Sequence, residues 1–206
     1  MLHFILILLS FASAHADWEA SFTAESSKKS FPKADGKFYA KADRFRVDTN
    51  VPFDLSIYAK AGSTHLYAAV PSFHIRLSSD LERFSAQVPA CLSATFDDCV
   101  KRFALKKVRE EPCNDAGAAK TCEVYESGAS LPKGIRKIEV RHWKGEKEPI
   151  LASSVVTKSD GDVIRTAFSK IRRKAHDASF YVVPSSYVNA GSLEKFLGGF
   201  RGGSSE

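Results

Sequence analysis

The sequence predicts a mainly β domain of the α+β class, and three observations carry that reading. Apolar and polar residues alternate at period two along most of the chain, the mark of strands with one buried face. The alternating runs are short and bounded by Pro, Gly, Asn or Ser, so consecutive strands are expected to pair as an antiparallel meander. Only one stretch, near the middle, switches to helical spacing.

The chain opens with the apolar run Phe4 to Leu9, followed by the small-residue triplets Ala12-Ser13-Ala14 and Ala14-His15-Ala16. That layout predicts a secretory signal over residues 1 to 16, cut after Ala16, although no Lys or Arg precedes the run. The run is too short to span a bilayer. The remaining chain has the length of one domain, taken as 17 to 188, with a flexible tail over 189 to 206 that is Gly- and Ser-rich from Gly198.

In the first half, Trp18, Ala20 and Phe22 alternate with Glu19, Ser21 and Thr23, and Phe38, Ala40 and Ala42 alternate with Lys37, Tyr39 and Lys41. Phe45 and Val47 then point inward between Arg44, Arg46 and Asp48. Phe53 to Ala59, His65 to Val70 and Phe73 to Leu77 continue the meander. Ser79-Asp80-Leu81-Glu82 has the spacing of a capping box ahead of Phe84 and Val88. Beyond Pro89, Leu92, Phe96, Cys99, Val100 and Phe103 share one helical face, and the helix is expected to end near Leu105 to Val108. Such a stripe is more often core than a lid over a ligand.

Strands resume with Cys122 to Tyr125 and with Ile135 to Lys144, which carries Ile138, Val140 and Trp143. Pro149 to Thr157 and Val163 to Arg173 flank Asp160-Gly161, a hairpin turn signal. Phe180-Tyr181-Val182-Val183, Pro184 and Tyr187 come last.

Charged residues make up 26% of the chain and hydrophobic residues 44%, values of a globular protein with a core. The net charge of +6 suits an acidic envelope partner or anionic lipid head groups, while export argues against nucleic acid. Cys91, Cys99, Cys113 and Cys122 are an even set, which in an exported chain argues for disulfides. Of three connectivities the local one, Cys91 with Cys99 and Cys113 with Cys122, is expected. The spacings fit neither structural zinc nor a thioredoxin-like motif. No His-Glu-x-x-His, no Gly-x-Ser-x-Gly and no phosphate loop is present, so no metal, cofactor or catalytic residue is assigned and an enzyme is not expected. Lys170, Arg172, Arg173 and Lys174 read either as the solvated end of a strand, discouraging edge pairing, or as a contact for an anionic partner.

Cys122-Glu123-Val124-Tyr125, the strand with Trp143, Glu148-Pro149-Ile150, Asp160-Gly161 and Ser179 to Tyr187 resemble the closing pattern of the periplasmic lipoprotein-carrier-like superfamily, which includes LolA and LolB. Gly36-Lys37-Phe38-Tyr39 followed by Asp43 to Asp48 looks like its early strand pair. The resemblance implies a curved antiparallel sheet forming an open half-barrel, with a helical lid on its concave face and an apolar cavity for acyl chains. Phe38, Phe45, Val47 and Trp143 on strands, with Leu92, Phe96, Val100 and Phe103 on the helical stripe, are then the candidate cavity or lid residues. Trp18 begins a strand directly after the signal, where carriers of this type commonly begin with a helix. The implied function is periplasmic transport or binding of a lipid, a lipoprotein acyl chain or another hydrophobic ligand. The alternative is an envelope structural or interaction module whose half-barrel is filled by its own side chains.

Overall fold

The computed structural model describes residues 17–28, 33–41, 43–50, 53–60, 63–80, 96–115, 118–128, 131, 133–146 and 151–196. The expected signal over 1 to 16, Cys91, Leu92, the residues after Asp80 in the expected capping box, and 197 to 206 lie outside them.

Among the described residues, twelve strands form one sheet: β1 Trp18–Ser26, β2 Ala34–Lys41, β3 Arg44–Thr49, β4 Leu55–Lys60, β5 His65–Val70, β6 Ile75–Asp80, β7 Leu105–Asp115, β8 Ala118–Ser127, β9 Ile135–Trp143, β10 Ser153–Lys158, β11 Val163–Arg173 and β12 Val188–Ser192. Their order is β12-β6-β5-β4-β3-β2-β1-β11-β10-β9-β8-β7, so the two runs of neighbours meet where β1 pairs with β11, and β12 and β7 are the edges. The sheet is curved and does not close. Every pairing among them is antiparallel except β12 with β6.

Alternation sorts the residues onto two faces, because directly paired residues point the same way. Ala20, Phe38, Val47, Ile57, Ala68 and Leu77 form one continuous apolar row across β1 to β6. On the far half, Ile164, Val156 and Ile138 are aligned in the same way. The opposite face carries Glu19, Tyr39, Arg46, Tyr58 and Tyr67 in a row.

Gly36 on β2 is required by closeness: a Cβ there would lie 2.0 Å from the backbone oxygen of Asp48. β11 carries an extra residue opposite β1 at Lys170, whose φ is 52°, and this bulge returns Arg172 to the face of Glu19.

Four expectations are corrected. The helix α1 spans Phe96–Arg102 and stops before Leu105, because Ala104 takes φ 46° and Leu105 begins β7. Ser79 and Asp80 belong to β6 rather than to a helix cap. Phe180 and Tyr181 lie in a short 3₁₀ turn, Ala178–Tyr181, not in a strand. The expected tail from 189 begins as β12, which supplies an outer neighbour for β6, and Leu193 beyond it is buried.

Candidate functional site

The structure gathers the described candidate residues into two apolar clusters. Phe38, Phe45, Val47 and Trp143 belong to one, with Ile57, Leu66 and Leu77. Phe96 and Phe103 belong to the other, with Ile138, Val140, Val156 and Ile164, and Val100 packs against it partly buried. Phe168 touches both clusters, and its ring meets Phe38 edge-on at 5.8 Å and Phe22 at 6.4 Å. The sequence reading passed over Phe168, although it stands in phase with Ile164 and Thr166 on a strand placed correctly. The four candidates on strands are only 1–8% exposed, so their side chains are closed to solvent.

Helix α1 packs on the same face. The Phe96 ring stacks on the fully buried His142 at 3.7 Å with 6° between planes, and meets Tyr125 edge-on at 5.0 Å. Burial pushes the Tyr125 phenol up to about 12, helped by its hydrogen bond to Glu123 at 2.9 Å.

The hairpin β7–β8 is tied by the disulfide Cys113–Cys122, as expected. The two half-cystines sit diagonally, since Cys113 is paired with Lys120 and Cys122 with Glu111. Most of the segment between the two cysteines is therefore ladder. Cys99 is also disulfide-bonded.

The outer face is not bare. Residues 174–187 run as a strap from the end of β11 over β1, β2 and β3, and then past His74 to β12. The backbone N–H groups of Lys174 and His176 donate to the Asp17 carbonyl and carboxylate at 3.1 and 2.7 Å. Lys41 Nζ reaches the His176 carbonyl at 2.9 Å. The His176 ring stacks on Phe180 at 4.2 Å. Arg46 donates to Asp48 at 2.8 Å and to the Phe180 carbonyl at 3.2 Å, and its guanidinium also lies over Tyr58 at 5.3 Å. Burial alone would lower the Arg46 pKa, but the hydrogen bond and charge of Asp48 raise it, so the cation is secure. Arg46 is thus an outward strand residue, as read from the sequence, with Asp48 and Tyr58 as partners on the sheet and Phe180 as its partner on the strap.

Glu19, 5% exposed, collects Arg172 at 2.8 Å, Lys174 at 3.5 Å and Lys37 at 3.9 Å. Arg173 lies over Trp18 at 4.9 Å. The ladder of β11 with β10 ends at Ala167, so the basic cluster stands on the part of β11 that is paired to β1 alone, and there Arg172 and Lys174 neutralise a buried carboxylate. An open, polar depression of 360 Å³ lies beside this face, lined by Asp35, Lys37, Asp48, Asn50, Asp54 and Ser56 among others. Its lining suits water better than acyl chains.

No group of metal-ligating side chains stands together among the described residues, and none of their helices is long and apolar enough to cross a membrane. No protein-family model matches the chain, and no curated protein matches it. Among solved structures it is similar to a LolA superfamily protein from Nitrosomonas europaea, with 10% identity over 82% of this chain and 90% of that one at a TM-score of 0.44. It is similar as well to MucB, solved in complex with MucA, at 10% identity and a TM-score of 0.48, over 84% of this chain and 56% of that one. The Mycobacterium tuberculosis lipoprotein LppX shows 12% identity and a TM-score of 0.41, over 77% and 88%. At these identities and scores the likeness says nothing of function.

Proposed function

We propose that this protein is a non-catalytic periplasmic carrier or binding protein for a lipid, a lipoprotein acyl chain or another hydrophobic ligand. The observation that supports the reading is the uninterrupted apolar row from Ala20 to Leu77 on the inner face of an unclosed sheet. Such a face can replace water around an acyl chain, at about 0.8 kcal/mol for each methylene buried. No bond need be made or broken. Binding requires the inner face to open, with the segment around α1, including Leu92, Phe96, Val100 and Phe103, serving as lid. The export signal expected over residues 1 to 16 supports a periplasmic location.

The test is native mass spectrometry of protein taken from its own envelope, followed by titration with fluorescent acyl probes. Co-purified lipid or saturable probe binding is expected. Neither appearing would remove the carrier reading. The second reading, a structural or interaction module with a filled half-barrel, is favoured by the low exposure of Phe38, Phe45, Val47 and Trp143. It predicts a protein that stays empty of lipid and binds no probe.

A further inference from the structure

One edge of the sheet carries its own complement. β7 ends the strand order, and among the described residues only β8 pairs with it. Lys106 to Glu110 are all exposed. A free strand edge offers unpaired N–H and C=O groups to any neighbour that matches it. Long edges are usually guarded by bulges and lysines. β7 has both, since Val108 is an extra residue against β8 and is 49% exposed.

The order of charges makes that guard directional. Lys106, Lys107, Val108, Arg109, Glu110 and Glu111 read two cations, a bulged pair and two anions. Lys107 and Glu110 lie on one face, as their 2.5 Å ion pair and their shared neighbour Glu123 show. Arg109 and Glu111 lie on the other, bonded to each other at 3.0 Å. Lys106 is paired opposite Glu126, which puts it on that second face, and it makes no ion pair among the described residues.

We propose that β7 pairs antiparallel with β7 of a second copy, about a two-fold axis between Val108 and Arg109. Lys106 then stands opposite Glu111 of the second copy on one face, and Lys107 opposite its Glu110 on the other. All four cross-strand pairs are of opposite sign, and opposite charges directly across a ladder attract. A parallel neighbour in register would set Lys against Lys and Glu against Glu. Pro112, which lacks an N–H, falls opposite Leu105 and ends the ladder at its margin. The contact is isologous, so it closes as a dimer rather than growing into a fibre. A ladder of this length is a small interface, and the dimer is accordingly weak and salt-sensitive.

Sedimentation equilibrium on the full exported chain tests this. The wild type is expected to be a dimer that dissociates on dilution and in high salt. Lys106→Glu with Lys107→Glu, and separately Glu110→Lys with Glu111→Lys, should each raise the dissociation constant at least about tenfold, because like charges then face each other. An equimolar mixture of the two variants restores every opposite-sign pair, so a heterodimer should form. Because Lys107 and Glu110 also bridge within the chain, a Val108→Cys variant with all charges intact is treated in parallel with a short bismaleimide, and a covalent dimer is expected at low salt. A wild type that stays monomeric into the hundred-micromolar range overturns the proposal, whether the edge is covered by another protein or by this chain's own end. A dimer indifferent to both charge variants, or variants that remain folded and fail to combine, overturns it equally.

Discussion

The guanidinium carbon of Arg46 lies 4.1 Å from the centre of the Phe180 ring, and the same side chain donates to the Phe180 carbonyl. One arginine on β3 thereby holds a strap separated from it by more than a hundred residues. Arg46→Ala removes a cation–ring contact and leaves the Phe180 carbonyl and Asp48 short of a partner, a loss of about 2 to 3 kcal/mol. Arg46→Lys keeps the charge but not the fork that reaches both acceptors, so it should recover only part. Hydrogen exchange checks this locally: amides of 176–192 should exchange faster in Arg46→Ala while β4 and β5 keep their protection. Unchanged exchange in the strap would show that Arg46 is not what holds it.

Glu19 gives this strap a pH dependence. Burial pushes its carboxyl up, but the hydrogen bond and charge of Arg172, with Lys174 and Lys37, more than reverse that and hold it below the ordinary 4.5. A carboxylate whose folded pKa is depressed contributes stability above its unfolded pKa, and that contribution is lost as pH falls through the folded value. Urea midpoints should therefore decline as the pH drops below about 4.5. Glu19→Gln should be less stable than wild type at neutral pH and show a shallower acid limb. Parallel acid limbs in the two proteins would assign the decline to other carboxylates.

Period-two alternation made β3 legible down to the direction of each side chain, because Phe45 and Val47 share one parity and Arg44 and Arg46 the other. It failed where an apolar run has no neighbour to pair with. Phe180-Tyr181-Val182-Val183 reads as a strand, yet it lies over the aromatic outer face, where Tyr39 and Tyr58 were the available signal that something covers them. Large buried aromatics on the polar parity of the two strands that flank β3 imply a covering segment. The start of β7 failed for a different reason. Leu105 stands two residues after Phe103, off the three- and four-residue spacing of Phe96, Cys99, Val100 and Phe103, so the helical stripe was carried too far, and the ladder with β8 begins there. On the candidate site, the inward residues of β2 and β3 were found, while Phe168 and His142 were not. The partners that mark those two, Phe38 and Phe96, are distant in sequence.

Gly36→Ala should be among the more damaging single-methyl additions to this sheet. The new Cβ would stand 2.0 Å from the Asp48 carbonyl oxygen and 2.9 Å from the Phe22 ring, and the first of these is backbone that cannot turn aside. Either β2 shifts against β3 or the strands part locally, at a cost of about 1 to 3 kcal/mol. Thermal unfolding measures the loss. A melting temperature within error of wild type would mean that the two strands can separate there freely.

The disulfide Cys113–Cys122 closes a short loop, nine residues apart in sequence, so its constraint on the unfolded chain is modest, about 2 to 3 kcal/mol. Cys122 is also fully buried against the cluster that holds Trp143, whereas Cys113 is only partly buried. Replacing both with Ala separates cross-link from packing better than reduction does, because the β-carbons stay in place. The double variant should fold, lose stability by that amount, and become susceptible to proteolysis between Cys113 and Cys122, with the β8–β9 ladder still formed. Thiol labelling of the denatured, unreduced wild type should find neither Cys113, Cys99 nor Cys122 free. If the double variant matches wild type in urea, the ladder from Leu105 to Asp115 is holding the hairpin by itself, and the cross-link adds no measurable stability. If labelling finds Cys113 and Cys122 reduced, the hairpin is formed without it in the cell.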